Sequence, residues 1–162
     1  MLSDDDYEKF GLIPRTLKPE RTREKGTKGE EGDNFFKGTF SPPFPMVEEK
    51  FFGSEFIYRA SKDKEVISII GRTPPAEVFY VQLGFVLPGD SKTGTYALGQ
   101  ELNGPKGVFV ATGILTADTG TLEIERDNNR QTIRGTFDMN FKHEGADYRV
   151  FGSFFLNATE PL

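Results

Sequence analysis

The stretch that most constrains the fold is Gly120–Ala158, where apolar and polar residues alternate through three segments separated by turn residues. In Thr121–Arg126, Leu122 and Ile124 point one way and Glu123 and Glu125 the other. Asp127-Asn128-Asn129-Arg130 supplies a turn, because Asn and Asp tolerate left-handed backbone and bond their own main chain. Arg130–Phe141 alternates again, with Ile133, Phe137, Met139 and Phe141 on one face. A two-residue loop at Asn128-Asn129 predicts Ile124 opposite Ile133 and Glu123 opposite Arg134. The next turn, Lys142–Asp147 with Glu144-Gly145 at its tip, predicts Phe141 opposite Tyr148, Met139 opposite Val150, Ile133 opposite Leu156 and Lys142 opposite Asp147. Gly135 then faces Phe154 and Gly152 faces Phe137, so that a large ring covers bare strand backbone.

Upstream, short runs of β-formers recur between Gly, Pro and Asp breaks. Asn34–Phe40 reads as a strand broken by Pro42-Pro43-Phe44-Pro45, and Val47–Phe52 is ambiguous. Strands follow at Ser54–Ala60, Glu65–Ile70, Glu77–Leu87, Thr95–Leu98 and Gly107–Gly113. In Glu77–Leu87, Val81, Leu83, Phe85 and Leu87 share a face with Phe79, while Tyr80, Gln82 and Gly84 share the other. No helix longer than two turns is expected. The sum is an all-β domain, an antiparallel β-sandwich or flattened barrel of about nine strands ending in the three-strand meander.

Residues 1–32 differ from the rest. Fifteen of the 16 Phe lie after residue 33, so the core belongs to residues 33–162. Ser3–Phe10 suits a helical turn capped by Ser3. Pro14–Gly29 holds Arg15, Lys18, Arg21, Arg23, Lys25 and Lys28 against Glu20 and Glu24, with Leu17 its one large apolar residue. Such a segment buries too little to offset its ordering entropy, so residues 1–32 are expected to form a flexible arm peripheral to the core. Net charge is −5, which disfavours broad nucleic-acid or anionic-membrane binding. The absence of Cys excludes disulfides and thiolate metal sites. No signal-like apolar run follows Met1, and a cytoplasmic location is the expectation.

Gly94-Thr95-Tyr96-Ala97-Leu98 precedes Gly120-Thr121-Leu122-Glu123-Ile124, then Asp127, then Ile133-Arg134-Gly135-Thr136-Phe137 and Gly152-Ser153-Phe154. This order resembles a group of bacterial all-β domains of unknown function. In that group a G-T-Y-x-L strand precedes a G-x-L-x-I…D…I-x-G-T-F hairpin and a terminal G-x-F strand. The resemblance covers about residues 90–158. It implies an antiparallel β-sandwich, and it carries over no functional residues. Members of the group are usually exported and often lipid-anchored, whereas this chain shows neither a signal-like run nor an anchoring cysteine.

Chemistry-bearing constellations are sparse. His143 is the one histidine and reads as a solvated turn residue. Glu123, Glu125 and Asp127 recur at two-residue steps, roughly 6.5–7 Å apart along a strand, a separation that can suit paired carboxylates in glycoside hydrolysis. With Arg134 expected opposite Glu123, an ordinary solvated face is the simpler account. Asp118, Asp127, Asn128 and Asn129 lack calcium-loop spacing. No catalytic, metal or cofactor site is expected.

Two functional readings follow. The first is a non-enzymatic binding or assembly domain with a protein partner or itself as a homodimer. Its surface would be Phe151, Phe155, Arg134 and Asp138, because the meander turns two rings outward with Phe151 opposite Asp138 and Phe155 opposite Arg134; the alternative for these rings is that the N-terminal arm or a loop covers them. The alternative is a small-ligand or carbohydrate-binding barrel lined by Tyr80, Gln82, Tyr96 and Tyr148, with weak hydrolase chemistry on Glu123 and Glu125.

Overall fold

Alternation and turn chemistry carry through into two antiparallel sheets packed face to face. The computed structural model describes residues 3–13, 33–45, 47–73, 81–111, 113–160 and 162. Among them the chain forms α1 (Asp4–Lys9), β1 (Phe35–Phe44), β2 (Glu48–Phe52), β3 (Glu55–Ala60), β4 (Val66–Arg72), β5 (Gln82–Pro88), β6 (Gly94–Leu98), β7 (Lys106–Val110), β8 (Ile114–Thr116), β9 (Thr119–Asp127), β10 (Thr132–His143) and β11 (Ala146–Asn157). The six-stranded sheet has the order β2-β1-β11-β10-β9-β6, and the five-stranded sheet the order β3-β4-β5-β7-β8. The chain passes between sheets after β2, β5, β6 and β8. The architecture is a β-sandwich rather than a closed barrel.

The β10–β11 hairpin has the predicted register, from Ile133 opposite Leu156 to Lys142 opposite Asp147. Glu144 and Gly145 both take positive φ (49° and 79°), as a two-residue hairpin turn requires. The β9–β10 register departs from expectation. Thr132 faces Asp127, Gly135 faces Ile124, and Arg134 faces Glu125 rather than Glu123. The loop is therefore Asn128–Gln131. The Asp127 carboxylate accepts from the backbone N–H groups of Asn129 and Arg130, both at 3.0 Å, and Gln131 adopts φ 53°. Asp127 closes a wider turn than Asn128-Asn129 alone would make. The shift is two residues, an even number, so every side chain keeps its predicted face.

Strand β1 runs on through Pro42-Pro43, with a register shift against β2 between Thr39 and Phe44. The addition of β2 and β8 brings the count to eleven strands rather than about nine.

Phenylalanine fills the space between the sheets. Phe36 stacks on Phe154 (ring centroids 5.2 Å apart) and packs against Phe51, Phe85 and Phe137. Phe44 packs against Phe109 and Tyr148, both at 4.9 Å, and Phe40 lies 5.0 Å from Phe109. A Cβ on Gly135 would fall 2.6 Å from the Phe154 ring, so this ring does cover the glycine. Gly152 stands opposite Phe137, as predicted, and on its other side opposite Gly38 of β1; the Phe137 ring lies over Gly38 rather than over Gly152.

Residues 3–13 are docked, which corrects the expectation of a peripheral arm for that part of residues 1–32. Ser3 caps α1 through a reciprocal box with Asp6, whose carboxyl is held below its ordinary pKa chiefly by the bond from the Ser3 backbone. Tyr7, Leu12 and Ile13 are buried with Ile57, Ile70, Val108 and Val110 on the outer face of the five-stranded sheet. The carboxamide of Gln82, fully buried there, accepts from Ile13 N–H at 3.0 Å and donates to Ile13 C=O at 2.7 Å. The basic stretch 14–32 lies outside the described residues.

Candidate functional site

The outer face of the six-stranded sheet carries the side chains singled out as an interaction surface. Strand alternation and register arrange them in rows. One row crosses all six strands: Phe52, Lys37, Ser153, Thr136, Glu123 and Thr95. Beside it runs Phe35, Phe155, Arg134 and Glu125. On the other flank run Lys50, Thr39, Phe151, Asp138, Thr121 and Ala97. The face is graded. Rings and cations collect over β2, β1 and β11, while carboxylates and hydroxyls collect over β9 and β6.

Cations lie on the rings. The Arg149 guanidinium sits 4.6 Å from the Phe151 centroid, Arg134 lies 5.9 Å from Phe155, and the Lys37 ammonium lies 5.6 Å from Phe35. Arg149 also holds Asp138 in a bidentate pair, Nε to Oδ1 at 2.8 Å and Nη2 to Oδ2 at 2.6 Å. That donation from Arg149 holds the Asp138 carboxyl below its usual pKa. Phe155 is only 6% exposed, with the Arg134 guanidinium over its ring and Phe35 opposite it in register, so it is not the bare ring that its outward direction implied. Phe35 and Phe52 are the open ones, at 42% and 64%. An open cleft of about 750 Å³ runs over this face, lined by Phe35, Thr95, Glu123, Glu125, Arg134 and Phe155 among others.

Phe151, Phe155, Arg134 and Asp138 are thus brought together. The proposed ligand-lining set is not. Gln82 bonds Ile13 on the outer face of the other sheet. Tyr96 points inward in register with Leu122, its hydroxyl donating to Lys92 C=O at 2.5 Å and accepting from Lys92 N–H at 2.8 Å. Tyr148 stacks on Phe141 at 5.7 Å within the aromatic core. Tyr80 lies outside the described residues. Glu123 faces Thr136 and Thr95, and Glu125 faces Arg134. His143 ends β10, with its ring 5.2 Å from Phe44 and 3.9 Å from the Glu144 carboxylate. Among the described residues no group of three or more His, Cys, Asp and Glu is placed to hold a metal ion.

Sequence reasoning did not pick out Phe35, Phe52 and Lys37 as part of this face. A signal for the rings was present in the dipeptides Phe35-Phe36 and Phe51-Phe52. Neighbours in a strand point to opposite faces, so each pair in a half-buried strand sends one ring out. Comparison with protein-family models, curated proteins and solved structures returns no match.

Proposed function

We propose that this chain is a non-enzymatic binding or assembly domain that works through the outer face of its six-stranded sheet. One contrast carries the proposal. The outer face of the five-stranded sheet is occupied by the chain's own residues 3–13, whereas the opposite outer face presents Phe35 and Phe52 to solvent among ring-stacked cations. Aromatic and Arg side chains are enriched in protein interfaces because they bring large contact area. Stacking on Phe151 and the bidentate pair with Asp138 hold the Arg149 guanidinium in place before any partner arrives, which lowers the ordering cost of association.

The ligand-binding barrel has less support. The space between the sheets is filled by phenylalanine, and Gln82, Tyr96 and Tyr148 do not converge.

A photo-cross-linking amino acid at position 52 tests the proposal in the protein's own cells. The control carries it at position 102, where Leu102 is 86% exposed and outside this face. Adducts specific to position 52 are expected. Absence of any adduct beyond the position-102 background would overturn the proposal.

A further inference from the structure

The rows on the open face are self-complementary, and from this we infer that its occupant is a second copy of the same chain. The inference rests on the interaction-surface reading above. The two central strands of the sheet are β11 and β10. Let a two-fold axis lie in the contact plane, parallel to the strands and between these two. It brings β2 of one copy over β6 of the other, β1 over β9, and β11 over β10, each contact occurring twice.

In the row that crosses all six strands, Lys37 then meets Glu123, Ser153 meets Thr136, and the exposed Phe52 meets Thr95. In the adjoining row Phe155 meets Arg134, and Phe35 meets the Glu125–Arg134 neighbours. Lys37, the one outward cation of β1, therefore faces Glu123 of β9 in both symmetry-related contacts, and Phe52 enters the cleft beside Thr95. An axis perpendicular to the strands would instead stack β1 on β1 and β9 on β9, setting like charges together, so the charge gradient selects one orientation.

Sheets packed in this way keep their strands nearly aligned, the common sandwich arrangement. Six strands at about 4.8 Å spacing, over four side-chain rows, give a face of roughly 700 Å², close to the roughly 800 Å² per partner of a stable interface.

The test is sedimentation of the full chain over the widest attainable concentration range, with the variants Lys37→Glu and Glu123→Lys. Both positions are exposed strand residues, so unchanged circular dichroism is expected of each, and unchanged melting at dilutions where the wild type is monomeric. Wild type should form a reversible dimer. Each variant alone should dimerise roughly 100-fold more weakly or worse, because symmetry repeats the like-charge clash. An equimolar mixture of the two should re-form a dimer, since both Lys37–Glu123 contacts are then restored, one in each charge sense. A wild type that stays monomeric at every concentration, variants that dimerise unimpaired, or a mixture that fails to pair would each overturn the inference. If the chain is monomeric yet position 52 cross-links another protein, the interaction surface stands and the second copy is excluded.

Discussion

Arg126 ties the two sheets together through a few atoms. Its Nε donates to the Tyr58 hydroxyl at 2.9 Å and its Nη1 to Ser91 C=O at 2.6 Å. Tyr58 is fully buried, and that burial raises its pKa. Arg126→Ala would leave the phenol without this donor, and a loss of about 1–3 kcal/mol is expected in urea unfolding. Tyr58→Phe in the Arg126→Ala background should recover part of it. Asp138 provides a second residue-level test. Arg149 lowers its pKa in the folded state, so the stability it adds is present above the unfolded carboxylate value of about 3.9 and is lost as pH falls through the lower folded value. Asp138→Asn should therefore lower the urea midpoint at pH 7, by a difference that shrinks as pH falls below the unfolded carboxylate value and through the lower folded one. The pair is about half exposed, which makes the effect modest and reducible by salt.

Among elements, the docked segment 3–13 departs most from what its composition implied. It contributes only three buried apolar side chains, Tyr7, Leu12 and Ile13. Their receiving face is built from residues far along the chain, Ile57, Ile70, Val108 and Val110, and Gln82 satisfies both backbone groups of Ile13. Ile13→Ala is expected to cost about 2–4 kcal/mol in urea unfolding and to raise amide exchange through α1 before it reaches β4 and β5. Exchange that rises equally in α1 and the central strands would mean that the segment unfolds only with the whole domain. The β9–β10 turn shows the same dependence on context at smaller scale. Alternation fixed which residues face the core, while the Asp127 carboxylate, accepting from Asn129 and Arg130, decided which residues stand opposite each other.

For the molecule as a whole, the phenylalanine-rich composition becomes two groups of packed rings that bridge the sheets, one at Phe36–Phe85 and one at Phe40–Phe109, within one hydrophobic core that aliphatic side chains complete. The sequence by itself determined the all-β class, the face of every residue in the meander and the register of the β10–β11 hairpin. Those follow from period-two alternation and a two-residue turn, which are local. It also placed Phe151, Phe155, Arg134 and Asp138 on one face. Only the tertiary structure decided the order of strands in each sheet, because pairing β1 with β11 or β6 with β9 joins segments that share no local signal. It likewise decided the burial of Phe155, which stands between Arg134 of β10 and Phe35 of β1, and the docking of residues 3–13 on strands that follow them. Alternation states which way a side chain points. What meets it there is set by long-range packing, and among the described residues packing therefore covered one outer face of the sandwich and left the other open.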